Sequence, residues 1–420
     1  MFDPTPSRIP APYHRRNFLM HMTDGILFMG GLAFTSTEIV LSVLIYRLGG
    51  SEAAIGGVFA LAELGVALPQ LLTAPFIDGL PRKKPLVLFT GLAQRTPWLI
   101  LAYLLFFTPF QQDGSDVPLV LGLIASTFLI TGFMGPAWNE FVASTVPRTL
   151  RGRLFALRQA ISGIIGIGAG FAVTHILETA PFPQNFSYLF LTTFLFWIAS
   201  LTCLTFVHET AQPVRNHASL RQYLFQHVPQ ILQSDNDFRW FLAVKAGMLL
   251  SLISFGFYSV YAIKRFDLPA SEAGAFVRYY MFGAIGWSFL FGYLADRFGH
   301  RINVILFCFI VIFQSAAALL APSATLFKVI FLFLGANRSI QIITFVAMPM
   351  EYADSRDRPT YYALSNTLLA PFYLSALLGG FLIPFIGYRG LFVLAAGFAF
   401  LTSLGAVFFI RDPRHTRLDS

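Results

Sequence analysis

Continuous apolar runs of about 20 residues or more recur from one end of this chain to the other, and short turns between them hold most of its charge. Of 420 residues, 56% are hydrophobic and only 12% are charged, against about 25% charged in a soluble domain. No soluble fold of this length hides so much apolar surface, so lipid must cover part of it. The 47 phenylalanines suit lipid-facing and interfacial packing. The runs are long and unbroken, whereas barrel strands are about ten residues of alternating pattern, so the spans are expected to be helices. Twelve are expected, over 18–47, 54–77, 85–108, 118–142, 154–177, 187–208, 240–263, 272–294, 302–321, 325–349, 360–385 and 388–410.

The formal charge of +8 raises the question of nucleic acid. The basic residues lie at the ends of the apolar runs, where they orient membrane segments, so the bilayer rather than nucleic acid is the expected partner. With the N-terminus in the cytoplasm, the tails and even-numbered connections carry about 20 basic residues and the opposite side about four: Arg47, Lys264, Arg265 and Arg389. Both termini are therefore expected inside, in a plasma membrane (the bacterial inner membrane). The N-terminal tail is polar, with Pro10, Pro12, Arg15 and Arg16, and the first run exceeds signal-peptide length, so no cleavable signal is read. Cys203 and Cys308 both fall inside apolar runs, which argues against a disulfide framework.

The turns repeat half a chain apart. Gly292-Tyr-Leu-Ala-Asp296-Arg297-Phe-Gly299-His300-Arg301 has a degraded counterpart in Asp78-Gly-Leu-Pro-Arg82-Lys83-Lys84. Arg151-Gly-Arg-Leu-Phe155-Ala-Leu157-Arg-Gln159, after the fourth span, matches Arg358-Pro-Thr-Tyr-Tyr362-Ala-Leu364-Ser-Asn366, after the tenth. Two matches in corresponding loops indicate a duplicated unit. The polar stretch 210–238 falls at the midpoint, and Leu220, Tyr223, Leu224, Val228, Ile231 and Leu232 share a helical face within it. It is expected to be a linker with an interfacial helix, or a partner-binding helix, between an N-terminal unit 1–209 and a C-terminal unit 239–420.

On these residues the chain resembles the major facilitator superfamily of secondary transporters. Gly292–Arg301 is similar to its signature loop, Gly-x-Leu-Ala-Asp-Arg-x-Gly-Arg-Arg, with His300 replacing one basic residue. Leu48-Gly-Gly-Ser51, Ile55-Gly56 and Leu68-Pro69-Gln70-Leu71 are further similar features. Pro136-Ala-Trp138-Asn139, Val146-Pro147 and Arg151-Gly-Arg153 resemble one broad bacterial branch. The resemblance implies an all-α membrane protein of twelve transmembrane helices in two pseudo-symmetric six-helix bundles. It also implies that Asp296, Arg297 and Arg301, with Asp78 and Arg82, and with Arg151 and Arg358, form a cytoplasmic gate. An acidic residue at a helix end can accept hydrogen bonds from another helix's N-terminus and pair with arginine. In the first half, Ala74, Gly79 and Pro81 depart from the signature, which weakens that half's gating role.

Ionisable groups at bilayer depth are costly and usually functional. Glu63 in span two and Arg95 in span three match in depth, so an ion pair is expected, either static or proton-coupling. Glu38 follows Thr35-Ser36-Thr37 in span one and is expected to be a coupling carboxylate or an outer-gate hydrogen-bonding group. Asp24 is read as a helix cap or interfacial residue. Asn337, Arg338 and Gln341 lie at one-turn spacing in span ten, and Arg338 is the expected partner of an anionic solute group or a carboxylate. Lys245 and Arg278 either assist it or snorkel to headgroups. Tyr258 is a further polar lining candidate. Gly163, Gly166, Gly168 and Gly170 read as a helix-contact surface.

The expected function is proton-coupled transport of a small organic solute by a monomer. The partners are that solute, protons and the bilayer. Proton-driven efflux of amphipathic compounds is the alternative, although no proline falls between 154 and 177 where drug antiporters carry their signature. No His-Glu-x-x-His, Gly-x-Gly-Asp or Walker loop occurs, so no enzyme, cofactor, metal or ATP-driven step is expected.

Overall fold

A computed structural model describes residues 11–211, 228–353 and 358–410. Most of the candidate interfacial helix, including Leu220, Tyr223 and Leu224, lies outside the described residues.

The described residues are helical almost throughout. The first span is α1 (Ala11–Leu32), a 3-10 turn (Ala33–Thr35), a π turn (Thr37–Leu41) and α2 (Ser42–Arg47). Then follow α3 (Glu52–Asp78), α4 (Lys84–Phe107), α5 (Val117–Thr145), α6 (Arg148–Thr179) and α7 (Gln184–Thr205). A short α8 (Val228–Ser234) precedes α9 (Asn236–Ser251), which runs through a 3-10 segment (Leu252–Phe257) into α10 (Tyr258–Phe266). Next come α11 (Glu272–Phe298), α12 (His300–Leu320) and α13 (Ala324–Tyr352). The chain closes with α14 (Arg358–Leu369), a 3-10 segment (Ala370–Leu374) and α15 (Ser375–Phe408).

Helix is the form that satisfies backbone groups without water. Polar side chains set its ends: Ser51 Oγ accepts from Ala54 N at 3.2 Å, and Asp235 Oδ1 accepts from Phe238 N at 2.8 Å. Gly299 stops α11 at φ +82, a backbone region open to glycine, which gives the second glycine of the repeated turn its physical reason. Among the described residues, nine helical stretches are long and apolar enough to cross a membrane. The last, Thr360–Phe408, turns at Gly387, so it supplies two spans. α4 and α11, of 24 and 27 residues, also have spanning length but carry Arg95, and Arg278 with Asp296, respectively. Large apolar side chains such as Phe89, Phe289, Phe385 and Phe408 are exposed, as a lipid-facing belt requires.

The helices pack in two groups. In the first, α1 meets α6 and α7, α3 meets α5, and α4 meets α5 and α7. In the second, α11 meets α13, while α12 and α9 meet α15. The groups join where α3 lies along α15 and α6 along α11. Spans two and eight, and five and eleven, occupy equivalent places in the repeat, so the two joints exchange under a twofold. Three of the four span-five glycines face α11: Gly163 at Ile285, Gly166 at Met281 and Gly170 at Gly274. Both Ala11 and Ile410 end at one face, called here the termini face.

Candidate functional site

The two helix groups bring one pair of opposite charges together at mid-depth. Arg338 lies midway along α13, where Leu334 to Asn337 and Ser339 to Gln341 are buried. Even so, 36% of its side chain is accessible. Its Nη1 donates to Glu63 Oε1 of α3 at 3.1 Å, and 21% of the Glu63 side chain is accessible. Glu38, Tyr280 of α11 and Tyr373 of the last 3-10 segment stand within electrostatic reach of the same guanidinium.

Glu38 owes its place to the break in the first span. The backbone leaves α geometry at Ser36 (φ −55, ψ 127), and Ser36 Oγ accepts from Val40 N at 3.3 Å. Ser42 Oγ donates to Thr37 O at 2.9 Å, which satisfies a carbonyl freed by the π turn. Ser259 Oγ donates to Glu38 O at 3.2 Å, tying the broken first span to the broken seventh. Glu38 is 7% exposed and within electrostatic reach of Arg338 and Glu63, and it makes no salt bridge among the described residues.

Several expectations need correcting. Glu63 does not pair with Arg95. Depth along a helix can be read from sequence, but the facing of the side chain cannot, and α4 turns Arg95 toward α7. Arg95 is 2% exposed and donates to Trp197 O at 2.5 Å, Gly91 O at 2.6 Å, Gln94 Oε1 at 3.1 Å and Ser200 Oγ at 3.2 Å. Asp24 is neither a cap nor interfacial: it is 3% exposed within α1, and Ser200 Oγ donates to its Oδ1 at 2.6 Å. The first group therefore holds its own buried polar core, joined by Arg158 above the Trp138 ring at 4.7 Å.

Arg278 and Lys245 do not snorkel. Arg278 crosses between the groups, donating to Gly170 O at 3.0 Å and Thr174 Oγ1 at 2.8 Å. Lys245 is 1% exposed; its ammonium donates to Ser365 Oγ at 3.1 Å and Asn366 Oδ1 at 3.0 Å and lies 4.9 Å from the Phe345 ring. Asn337 donates to Gln314 Oε1 at 3.0 Å inside the second group, so it and Arg338 serve different neighbours. Gln341 is buried one turn on. Tyr258 is fully buried, accepts from Ser254 Oγ at 3.2 Å and stacks on Phe392 at 5.1 Å, away from the ion pair.

At the termini face, Arg151 donates to Val146 O at 3.0 Å and to Ala143 O, both in the first group. Arg301 donates to Ala406 O at 3.3 Å and to Val407 O, and Arg297 to Tyr293 Oη at 2.7 Å, all in the second. Arg82 is exposed. Asp296 lies in the last turn of α11, one residue before Arg297. The side chains of Asp78 and Arg358 lie outside the described residues. Glu209, a residue the sequence did not single out, accepts from the backbone N–H groups of Lys83 at 2.8 Å and Lys84 at 2.9 Å where α4 begins.

The opposite face carries contacts between the groups that were also not foreseen. Glu52, at the start of α3, accepts from Lys264 Nζ at 2.5 Å and from Tyr388 Oη at 2.5 Å. Below it, backbones touch: a Cβ on Gly380 would lie 2.3 Å from Glu52 O, and one on Gly56 would lie 2.1 Å from Ala376 O. Glu52 and Lys264 were visible only as charges flanking two apolar runs.

A lipid-belted pair of helix groups, with charges meeting between them at mid-depth, defines a membrane carrier. The Major Facilitator Superfamily model matches residues 25–372, and the chain belongs to that superfamily. It is a multi-pass transporter of that class, not an enzyme. Solved structures with the same fold include a D-xylose-proton symporter (15% identity, TM-score 0.67, covering 96% of this chain and 99% of that one). Others are the nucleoside transporter NupG (14%, 0.64, 94% and 98%) and a bacterial homologue of the iron transporter ferroportin in an inward-facing state (14%, 0.66, 94% and 99%). No curated protein matches the chain.

Proposed function

We propose that this protein is a secondary active transporter of a small organic solute, coupled to protons and working by rocker-switch alternating access. The observation that carries the reading is the Glu63–Arg338 contact at 3.1 Å, one partner from each helix group. Separation of the groups at that depth leaves each charge in need of a new partner, so a solute group or a proton can decide when they part. In this reading Glu38 takes up and releases the proton, and Arg338 answers to a carboxylate or to an anionic solute group. The moving units are 1–209 and 239–420, joined by 210–238. Both termini lie in the cytoplasm, the membrane is the bacterial inner membrane, and one chain suffices. The Glu52 and Arg278 contacts hold the outer side shut, while Arg151, Arg297 and Arg301 bond within their own groups on the open inner side. Asp296 and Asp78 serve the inner gate when the outer side opens.

Efflux of amphipathic compounds is the second reading, favoured by Tyr280 and Tyr373 beside the ion pair. The test is uptake into proteoliposomes across a solute panel, with and without an imposed pH gradient. Transport driven by the gradient and lost in Glu38→Gln supports the reading. Transport indifferent to pH overturns it.

A further inference from the structure

Two cavities open on the outer face where the helix groups meet, and one cation stands between them. The larger, of about 600 Å³, is walled by Tyr46, Arg47 and Gly49 at the end of α2 and by Gln112 in the α4–α5 loop; across the seam stand Lys264 and Asp267 at the end of α10. The smaller, of about 430 Å³, has Arg47 again, with Glu178 and Phe182 from the first group and Pro269 from the second. Both have the size of a site for a small organic ligand. The two walls of the larger one are stiff. In the first group a Cβ on Gly49 (φ +77) would lie 2.3 Å from Gln112 O, and Gly114 N donates to Leu48 O at 2.8 Å, so two loops are locked backbone to backbone. In the second group Arg265 donates to Ala318 O at 2.6 Å and to Ala321 O at 2.8 Å, which fixes the end of α10 to the end of α12.

Of the charges lining this cavity, Lys264 is already held by Glu52 at 2.5 Å. Arg47 and Asp267 are not held. The Arg47 guanidinium lies 5.1 Å from the Phe182 ring, and neither side chain makes a hydrogen bond or salt bridge among the described residues. Asp267 stands at φ +48, a left-handed position that glycine fills with least strain, so the carboxylate is kept there against the backbone's preference. One unpaired charge of each sign therefore lines the same cavity, the cation on the first helix group and the anion on the second. We infer that the cavity binds a small zwitterion, with its carboxylate or phosphate on Arg47 and its ammonium on Asp267, and that the bound molecule holds the outer side shut. The planar fork of arginine matches either acid. A singly charged molecule satisfies one wall and leaves the other bare, whereas a zwitterion spans the seam. Because its two partners part when the outer side opens, it binds the closed conformer better and shifts the balance by that difference. The site stands on the cavity alone; the shift rests on the rocker-switch reading above. A free amino acid and an ethanolamine phospholipid headgroup carry the same pair of charges.

The probes are glycine, 4-aminobutyrate and 6-aminohexanoate, a series that spaces the two charges progressively further apart, with butyrate and butylamine as singly charged controls. Binding to the full chain in phosphatidylglycerol nanodiscs is measured by calorimetry against empty discs. One length should bind best, at a single site, and about 3–10-fold more tightly than either control. Arg47→Gln and Asp267→Asn should each weaken it to the level of the controls. Arg47→Asp combined with Asp267→Arg should restore binding, because the zwitterion then sits end for end. The conformer is read in Glu52→Gln, which loosens the outer closure, with Cys203→Ser and spin labels on cysteines at Gln111 and Thr325, two exposed outer positions off the cavity wall. The best binder should deplete the longer distance in pulsed electron resonance, and the controls should not. Discs containing phosphatidylethanolamine separate the two sources: weakened affinity marks the headgroup as occupant, and unchanged affinity marks a free solute. The inference is overturned by no binding of any zwitterion, by controls that bind equally well, or by affinity unchanged in Arg47→Gln and Asp267→Asn. Binding that leaves the longer distance in place overturns it too. A distance that never lengthens, with or without probe, instead removes the rocker-switch reading, and calorimetry alone then decides the site.

Discussion

Gly56→Ala offers a direct test of how the outer side is held shut. A Cβ at Gly56 would lie 2.1 Å from Ala376 O, 2.8 Å from its carbonyl carbon and 2.9 Å from Phe257 Cζ. Two of those atoms are backbone and cannot rotate away. Ordinary contact begins near 3.4 Å, so α3 and α15 must part by about 1.3 Å at that level. One turn above, Glu52 holds Lys264 of α10 and Tyr388 of α15 at 2.5 Å each, and the same movement stretches the Tyr388 bond. Overpacking of this kind costs about 1–3 kcal/mol, which is about 5–150-fold in the balance between conformers. The fold itself should survive, because alanine is favoured over glycine inside a helix by about 1 kcal/mol. Spin labels on cysteines placed at Gln112 and Pro269, in the loops of the outer face, should show a longer distance in Gly56→Ala when the protein is measured by pulsed electron resonance in lipid nanodiscs. Gly57→Ala is the control: its Cβ would meet only Leu377 Cδ1, at 3.7 Å, and should change nothing. A well-folded Gly56→Ala protein with an unchanged distance distribution would refute the reasoning.

Glu52→Gln should move the same distance distribution in the same direction by about 1 kcal/mol, a charge-assisted bond discounted for its partial exposure. Arg95→Leu should lower thermal stability by about 3–5 kcal/mol, because Ser200 and Asp24 stay buried without their cation; unchanged unfolding of the purified protein would contradict the bonding described. Lys245→Met keeps the stem and removes an isolated buried charge, so the melting temperature should hold or rise. A large fall would instead show that the ammonium's bonds to Ser365 and Asn366 are needed for the fold.

Much of this architecture could be read along the chain because a bilayer leaves little choice. Long apolar runs must be helical, and the duplicated turns placed them in two sets. Helix ends were harder. α6 begins at Arg148 rather than 154, so Arg151 belongs to a helix, and α1 is already helical at Ala11, ahead of the expected 18. A run's hydropathy falls before its hydrogen bonding does. The breaks at 33–41 and 252–257 carry no proline; only the polar run Thr35-Ser36-Thr37-Glu38 in the first and Ser254 with Gly256 in the second interrupt their apolar sequence.

Charges at depth could be listed from sequence, but their partners could not. Glu63 and Arg95 lie at matched depths, yet α3 and α4 present them to different neighbours: Glu63 to Arg338, far off in the chain, and Arg95 to Trp197 and Ser200. Asn337 and Arg338 are adjacent in sequence and serve Gln314 and Glu63. The linear order of residues determined how many rods cross the membrane and roughly how deep each ionised group lies. Only the packing of those rods decided which way each charge points, because rotation about a helix axis is set by its neighbours.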